Sequence, residues 1–330
     1  MTAFRAFRVF DKGGAVSGRV VSATLEELSP GDVVIKAAYS SVNYKDALAA
    51  TGTGKIVRRF PLIAGIDVSG TVESSTDLRF TPGDQVLVTG YDLGVAHDGG
   101  YAGRVRVPGE WVVALPPALT LFDAMAIGTA GFTAALSVLD MEKNGLAPAS
   151  GPVIVTGATG GVGSVAVQIL SARGYQVTAL TGKDGEHDYL RSLGAASVLS
   201  RHGLTRGTRP LEKATWAGAV DAVGGDTLSW LTTTMMYNGC IALSGLAGGT
   251  HLQTTVLPFI LRGVKLLGID SVMCPMASRR EVWKRLASDL NPPALPAIAR
   301  TIEMDALPDA FATLLAGGAR GRLVVKVGES

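Results

Sequence analysis

The chain has few cysteines, few histidines and almost no net charge, and each shortage excludes a class of protein. Its 330 residues include only Cys240 and Cys274, which are not in Cys-x-x-Cys spacing. Two such residues predict neither a disulfide framework nor a multi-cysteine zinc site. The four histidines are scattered, so we expect exposed or loop positions for His97, His187, His202 and His251. We therefore predict a protein without a metal site.

The charge balance and the hydropathy pattern exclude further classes. The formal net charge is +2, far from the basic surface that nucleic acids or anionic membranes require. Residues 1–10 lack the apolar segment and cleavage site of a signal peptide. The most apolar long stretch, residues 256–269, is interrupted by Arg262 and Lys265 and is too short to span a bilayer. We expect a cytoplasmic protein with no nucleic-acid or membrane partner.

The composition instead favours buried cores and tight turns. Hydrophobic residues make up 47% of the chain, and 42 residues are glycine, well above the usual share of about 7%. Short β-rich runs separated by Pro/Gly turns fill the first 110 or so residues, as at 33–37, 68–72 and 85–88. This pattern predicts a mostly β barrel or sandwich.

The pattern changes near Phe122. Helical periodicity then alternates with continuous apolar strands, as at 153–155, 177–180 and 219–223. Continuous apolar strands between helices are typical of a parallel sheet covered on both faces. Two amphipathic helices, at 279–290 and 307–316, and a last strand, at 322–327, end the chain.

A glycine-rich turn gives the strongest functional signal. The apolar strand at 153–155 leads into Gly157-Ala158-Thr159-Gly160-Gly161-Val162-Gly163, and a helix follows over 162–172. A strand, a glycine turn and a helix in this order are typical of dinucleotide binding. The glycines admit the pyrophosphate close to the backbone, and the N–H groups at the helix start stabilise it. The competing interpretation is a tight turn without a ligand.

Residues about twenty positions further on bear on the choice between NAD and NADP. The second strand of the predicted sheet ends in Thr181-Gly182-Lys183, and the third leads to Arg201. Hydroxyl and cationic groups at adjacent strand ends suit the 2′-phosphate of NADPH. The alternative is a solvated Lys183 with Asp184 on the ribose of NAD.

Further segments carry a resemblance that covers nearly the whole chain in order. They are residues 41–48 (SVNYKDAL), 52–56 (GTGKI), 61–67 (PLIAGID), 127–134 (IGTAGFTA), 245–249 (GLAGG) and 258–262 (PFILR). With the glycine turn, they resemble the zinc-free quinone-oxidoreductase branch of the medium-chain dehydrogenase/reductase superfamily. Within that branch, they look like the bacterial acrylyl-CoA reductases that use NADPH.

The resemblance implies an α/β fold in which a doubly wound Rossmann sheet is inserted into a GroES-like, mostly β catalytic domain. The catalytic domain would comprise residues 1–124 and 274–330, and the NADP-binding domain residues 125–273. A homodimer is also implied, joined through residues 264–273, which we expect to form a long apolar edge strand. The implied contacts of NADPH are Tyr44, Thr129, Thr159, Gly160, Gly161, Val162, Gly163, Thr181, Gly182, Lys183, Arg201, Leu246, Ile260, Ser271 and Arg322.

The same comparison bears on metal and mechanism. Zinc-dependent relatives carry Gly-His-Glu where this chain has Gly65-Ile66-Asp67, and Ile66 cannot ligate zinc. Without a Lewis acid, a substrate that itself accepts hydride is favoured, such as an α,β-unsaturated thioester. The resemblance places Asn43, Tyr44 and Asp46 at the catalytic cleft, so these three are the predicted catalytic residues.

The role of Tyr44 has two interpretations. Its hydroxyl is a hydrogen-bond donor that can serve the enolate oxygen or deliver the proton, with water as the other proton source. Alternatively, Tyr44 only packs against the nicotinamide. Lys55, Arg58 and Arg59 form a cationic cluster nearby in sequence, which either meets the phosphates of coenzyme A or is a solvated loop.

Three functions remain open from the sequence. The first is NADPH-dependent reduction of the C=C bond of a short enoyl-CoA, acrylyl-CoA being favoured. The second is a quinone or enone reductase with another small-molecule substrate. The third is a pyridine-nucleotide-binding protein with little turnover.

Overall fold

A computed structural model describes residues 3–204, 207 and 209–328. The chain divides into two compact units. Unit 1 comprises Met1–Thr129, Val272–Ala287 and Leu295–Ser330, and unit 2 comprises Ala130–Ser271 and Ser288–Ala294. In sequence, therefore, unit 2 is inserted into unit 1.

Regular secondary structure covers most of the described residues. The strands are β1 (Phe4–Lys12), β2 (Ala15–Ala23), β3 (Val33–Ser41), β4 (Leu62–Ile63), β5 (Asp67–Ser75), β6 (Gln85–Thr89), β7 (Arg104–Val107), β8 (Val113–Ala114), β9 (Val153–Thr156), β10 (Val177–Thr181), β11 (Ser197–Ser200), β12 (Trp216–Asp221), β13 (Met235–Leu243), β14 (Lys265–Gly268), β15 (Ala299–Glu303) and β16 (Arg322–Lys326). The α-helices are α1 (Tyr44–Thr51), α2 (Leu121–Lys143), α3 (Gly161–Ala172), α4 (His187–Ser192), α5 (Gly225–Thr234), α6 (Leu257–Arg262), α7 (Met276–Leu286), α8 (Leu295–Ile298) and α9 (Leu307–Leu315).

Unit 1 is built on two β-sheets. The larger has the order β15-β16-β3-β5-β6-β8, with β7 also paired to β3, and the smaller has the order β2-β1-β4. All of these pairs are antiparallel except β15 with β16. Phe7, Tyr101 and Phe311 meet in the core of the unit, with ring centroids 5.8–6.3 Å apart. The mostly β architecture predicted for this region is confirmed.

Unit 2 contains a six-stranded parallel sheet with the order β11-β10-β9-β12-β13-β14. Its strands are apolar because helices cover them; Ile154, Ala219 and Ile241 are fully buried. In chain order this is the 3-2-1-4-5-6 arrangement of a doubly wound dinucleotide-binding sheet, whose ligand lies at the carboxyl ends where the order reverses. That position is the end of β9. The predicted Rossmann sheet is confirmed.

Two sequence expectations need correction. The run 264–273 is not one long strand, because β14 covers only Lys265–Gly268, and the polar residues Asp270 and Ser271 follow it. The most apolar long segment is also not 256–269. Among the described residues, α2 is the helix long and apolar enough to cross a membrane by length and composition, and 78% of the tested window is buried inside the protein.

Candidate active site and cofactor site

The glycine turn of unit 2 has the geometry that its sequence predicts. β9 ends at Thr156, and Gly157 follows with a left-handed φ of 58°. The N–H of Gly160 donates to the carbonyl of Gly157 at 2.9 Å, and Gly160 caps α3. A Cβ on Gly163 would overlap the Gly157 carbonyl oxygen, so only glycine fits there. The first N–H groups of α3 have no partner within the helix, which makes this turn suitable for an anion.

Asp221, at the end of β12, holds the strand end before the glycine turn through hydrogen bonds. Its buried carboxylate accepts the Thr156 hydroxyl at 2.5 Å and the Gly224 N–H at 2.9 Å. Burial raises the pKa of Asp221, while these hydrogen bonds oppose the shift. The strand end that precedes the glycine turn is thereby tied to its neighbouring strand.

The residues predicted to select NADPH lie together at the next strand ends. β10 and β11 are parallel, with Thr181 opposite Ser200. A small cavity of about 30 Å³ is lined by Thr156, Gly157, Leu180, Thr181, Gly182, Arg201, Val223 and Thr227. Lys183 follows directly, and partial burial lowers its pKa. The structure therefore brings Thr181, Gly182 and Arg201 to one pocket beside the glycine turn.

The remaining nominated residues of unit 2 lie elsewhere. Leu246 follows β13 and is 55% exposed, and Ile260 on α6 is 68% exposed. Ser271 is buried at the end of the unit's main segment. None of the three lines the small cavity, and their contact with NADPH stays a prediction.

Unit 1 holds a buried polar cluster that we call the Asp67 network: Ser41, Asn43, Asp67, Thr129 and Arg322. The Asp67 carboxylate, fully buried, accepts four donors. They are the Ser41 hydroxyl at 2.5 Å, the Asn43 amide at 2.8 Å, and the Thr129 N–H and hydroxyl at 2.9 and 2.5 Å. These four donors satisfy the hydrogen-bonding capacity of the buried carboxylate.

Arg322 supplies the opposite charge of the network. It is 3% exposed and donates to the Ser41 hydroxyl at 2.9 Å and to the carbonyls of Val42 and Ala126, both at 3.1 Å. It also reaches the amide oxygen of Asn43 at 3.3 Å. Arg322 and Thr129 were nominated as cofactor contacts; here both side chains form hydrogen bonds with residues of unit 1, and their contact with NADPH stays a prediction.

Gly128 allows the network to close. It interrupts α2 with a φ of 51°. A Cβ at this position would lie 2.5 Å from Arg322 Nη2, 2.7 Å from Ser41 Oγ and 2.8 Å from Asp67 Oδ2. Both the left-handed backbone and the close approach require glycine, and the break aims the Thr129 N–H at Asp67.

The first turn of α1 carries the three predicted catalytic residues. Asn43 is its N-cap, and the Asp46 carboxylate accepts the backbone N–H groups of Asn43 at 2.9 Å and Ile66 at 3.0 Å. Asn43 and Asp46 are 8% and 1% exposed, whereas Tyr44 is 39% exposed. Among the described residues, the Tyr44 hydroxyl has no hydrogen-bond partner. Of the three side chains, only that of Tyr44 is therefore presented at the surface of the unit.

The electrostatics of the cluster distinguish its members. Burial, and next the nearby Asp67 charge, raise the pKa of Asp46 to about 7. Burial, then Asp46, raise the pKa of Tyr101 well above its usual value, so its hydroxyl remains a donor, to the Ser41 carbonyl at 3.1 Å. Burial lowers the pKa of Arg322, an effect that the nearby carboxylates oppose. One cation thus faces two buried carboxyl groups.

Sequence reasoning missed Ser41 and Asp67. Asp67 had a signal: it is the one charged residue in the apolar run 61–68, next to Ile66. Ser41 had none, because its partners Asp67 and Arg322 lie 26 and 281 positions away.

In the cationic cluster after α1, Arg58 and Arg59 each form an ion pair with a carboxylate of unit 1. Arg59 donates to the Asp98 carboxylate at 2.8 Å and to the Ala96 carbonyl at 2.9 Å. Arg58 pairs with Asp92 at 3.2 Å, with both side chains well exposed. Arg59 is therefore held by a buried carboxylate, and the exposure of Arg58 favours the solvated-loop interpretation for that residue.

No group of three or more His, Cys, Asp or Glu side chains that could hold a metal ion occurs within the described ranges 3–204, 207 and 209–328. Ile66 is buried, at 4% exposure. A dinucleotide, in contrast, fits the residues present, because the glycine turn offers a cradle that a Cβ would fill and the adjoining strand ends offer cations.

Known proteins share this combination of units. Residues 29–117 match the family described as "Alcohol dehydrogenase GroES-like domain", and residues 161–289 match "Zinc-binding dehydrogenase". The chain is 50% identical to "Putative quinone oxidoreductase YhfP" of Bacillus subtilis, over 99% of each chain. It is 48% identical to "Acrylyl-CoA reductase AcuI" of Ruegeria pomeroyi, over 96% of each.

Solved structures agree with this placement. The yhdH oxidoreductase of Salmonella enterica, in complex with NADP, superposes with a TM-score of 0.96 at 48% identity, covering 98% of this chain and 99% of that one. The yhfP structure, with NAD bound, gives a TM-score of 0.96 at 50% identity, covering 99% and 100%. A GroES-like unit with an inserted Rossmann sheet defines a class of oxidoreductases. The chain belongs to that class, the medium-chain dehydrogenase/reductase superfamily.

Proposed function

We propose that this oxidoreductase uses NADPH to reduce the C=C bond of a short α,β-unsaturated acyl-CoA, acrylyl-CoA being converted to propanoyl-CoA. Its cofactor is NADPH: the glycine turn fits a dinucleotide, and the Salmonella structure is an NADP complex. The substrate proposal is supported by the relative named acrylyl-CoA reductase at 48% identity. The observation that carries it is the exposed Tyr44 side chain at the start of the capped helix α1.

The chain's own residues would hold the cofactor at two places. The N–H groups of 161–163 would bind the pyrophosphate, with Thr159 and Gly160 beside them, and Thr181, Lys183 and Arg201 would bind the 2′-phosphate. When bound, the reduced nicotinamide supplies the hydride. We assign cofactor binding to residues 125–273 and catalysis to residues 1–124 and 274–330.

The reduction of an enoyl thioester builds negative charge on the thioester oxygen, which fixed donors stabilise. The Tyr44 hydroxyl would donate a hydrogen bond to that oxygen or deliver the proton that reaches Cα. Asn43 and Asp46 are buried and hydrogen-bonded to α1 and to Ile66, so we assign them to positioning Tyr44. Asn43 and Asp46, predicted as catalytic residues, thus have an indirect role in this proposal.

NADPH consumption measured over a panel of acceptors tests the proposal. We expect turnover with acrylyl-CoA, a fall in kcat/KM as the enoyl chain lengthens, and slow reaction with a simple quinone. Turnover with the quinone but with no enoyl-CoA would overturn it and favour the second candidate. That candidate, a quinone reductase, is supported by the YhfP relative's name.

We also propose a homodimer that forms along the edge of the unit 2 sheet. β14 is the last strand in that sheet, and Val256, Ile260 and Leu261 beside it are 65%, 68% and 54% exposed. An open strand edge flanked by apolar side chains invites pairing with a second copy. Light scattering at micromolar concentration should give twice the 34.0 kDa chain mass, and the mass of a single chain would refute the dimer.

A further inference from the structure

A histidine that no sequence pattern singled out contacts one of the residues predicted for the 2′-phosphate site. His202 follows Arg201 in the 3-10 helix Arg201–Gly203, after β11. Its Nε2 atom lies 3.0 Å from the carbonyl oxygen of Gly182, after the neighbouring strand β10. A carbonyl oxygen only accepts hydrogen bonds, so Nε2 is the protonated nitrogen in this contact.

The contact holds one end of a single peptide plane whose other end is also held. The Gly182 carbonyl and the Lys183 N–H belong to the same planar peptide group. His202 binds the carbonyl, and the Thr181 hydroxyl oxygen accepts the Lys183 N–H at 3.0 Å. With both ends held, the position of the Lys183 Cα atom, from which its side chain starts, is constrained.

The Gly182 residue that His202 holds also contacts the side chain of Arg201. The atoms nearest to a Cβ built on Gly182 are Nη2, Cζ and Nε of Arg201, at 3.0–3.2 Å. The guanidinium therefore packs against Gly182, and His202 holds the carbonyl of the same residue. Ser200 stabilises the arrangement, because its hydroxyl oxygen accepts the His202 N–H at 3.3 Å.

We propose that His202 is a positioning residue that sets the selectivity of this enzyme for NADPH over NADH. It acts through the Gly182–Lys183 peptide, which it orients so that Lys183 and Arg201 converge on the 2′-phosphate. NADH lacks that phosphate, so its binding affinity does not depend on this orientation of the peptide. The inference rests on the proposed NADPH cofactor and does not depend on the substrate.

Fluorescence titration of the purified enzyme with NADPH and with NADH tests the proposal. His202→Leu removes the donor and should raise the Kd for NADPH about 3- to 10-fold, the range of one ordinary hydrogen bond, with the Kd for NADH unchanged. His202→Gln keeps an N–H donor and should restore most of the affinity. His251→Leu removes an exposed histidine elsewhere in unit 2 and should change neither constant.

Calorimetry with adenosine 2′,5′-bisphosphate and with AMP provides a second readout limited to the adenosine subsite. We expect His202→Leu to weaken the binding of the bisphosphate and to leave the binding of AMP unchanged. Equal weakening of NADPH and NADH, or an unchanged ratio of their Kd values in His202→Leu, would overturn the role of His202. A wild-type enzyme that binds both cofactors equally would instead overturn the proposed cofactor.

Discussion

The two units treat their polar groups in opposite ways. In unit 1, the Asp67 network is buried, and its hydrogen bonds are made within the unit. In unit 2, the glycine turn and the ends of β10 and β11 present N–H groups and cations for a ligand. The first arrangement holds a scaffold still, whereas the second gains its stabilisation when an anion binds. Substitutions in the Asp67 network should therefore affect folding, whereas substitutions at the glycine turn and at the ends of β10 and β11 should affect cofactor binding.

The largest effect is expected for Asp67→Ala. Removing this carboxylate leaves four donors without their acceptor and takes from the buried Arg322 cation one of its two nearby carboxyl groups. The expected cost is about 3–5 kcal/mol. Urea unfolding should show this loss in the free energy of unfolding. Asp305→Ala is the control, since the Arg5–Asp305 pair is exposed, and it should cost under about 1 kcal/mol. Equal losses in the two variants would show that the network is not a stabilising scaffold.

Tyr44→Phe comes next, because Tyr44 is the exposed member of an otherwise buried turn. If its hydroxyl serves the enolate or its proton, kcat on acrylyl-CoA should fall roughly 10²–10³-fold, with the Kd for NADPH nearly unchanged. If the ring only packs on the nicotinamide, Tyr44→Phe should work almost normally and Tyr44→Ala should weaken NADPH. A near-normal kcat would remove Tyr44 from catalysis and leave water as the proton source.

In unit 2, Lys183→Ala and Arg201→Ala should each weaken the binding of NADPH by about 1.5–3 kcal/mol, the range of a charge-assisted hydrogen bond. The binding of NADH should barely change. Fluorescence titration measures both constants. Lys213→Ala, an exposed lysine of the same unit, serves as the matched control. A loss of affinity shared by NADPH and NADH would argue against a 2′-phosphate site at these residues.

Asp46 gives unit 1 a pH dependence in the acidic-to-neutral range. Because its pKa is raised to about 7 in the fold, Asp46 contributes stability that is present at low pH and lost as pH rises toward 7. Asp46→Asn lacks this titration but sets an N–H group against a backbone N–H, so it should be the less stable protein at pH 5. At pH 8 the difference in free energy of unfolding between the wild type and Asp46→Asn should be about 2–3 kcal/mol smaller than at pH 5. A gap in urea unfolding that stays constant would contradict the shifted pKa.

The parts of the site that are local in sequence could be predicted from it. The glycine turn is contiguous, and the rule that parallel strands end at one sheet edge brings Thr181 and Arg201 together. The fold class followed from the same alternation of strands and helices. Contiguity and periodicity were sufficient for these features.

The Asp67 network could not be predicted, because its members come from four separate segments. Ser41 ends β3, Asp67 begins β5, Thr129 follows a break in α2, and Arg322 begins β16. Only the fold brings them together. The strand expected over 264–273 was too long for a related reason: hydropathy marked an apolar run, but the ladder with β13 ends at Gly268.

Deuterium transfer tests the central claim most directly. The enzyme is supplied with acrylyl-CoA and NADPH deuterated at C4 of the nicotinamide, and the product is analysed by mass spectrometry and NMR. The proposed function predicts propanoyl-CoA with one deuterium, on the methyl carbon, and a solvent-derived proton at Cα. NADPH oxidation without labelled propanoyl-CoA, or no oxidation while a quinone is reduced, would contradict it.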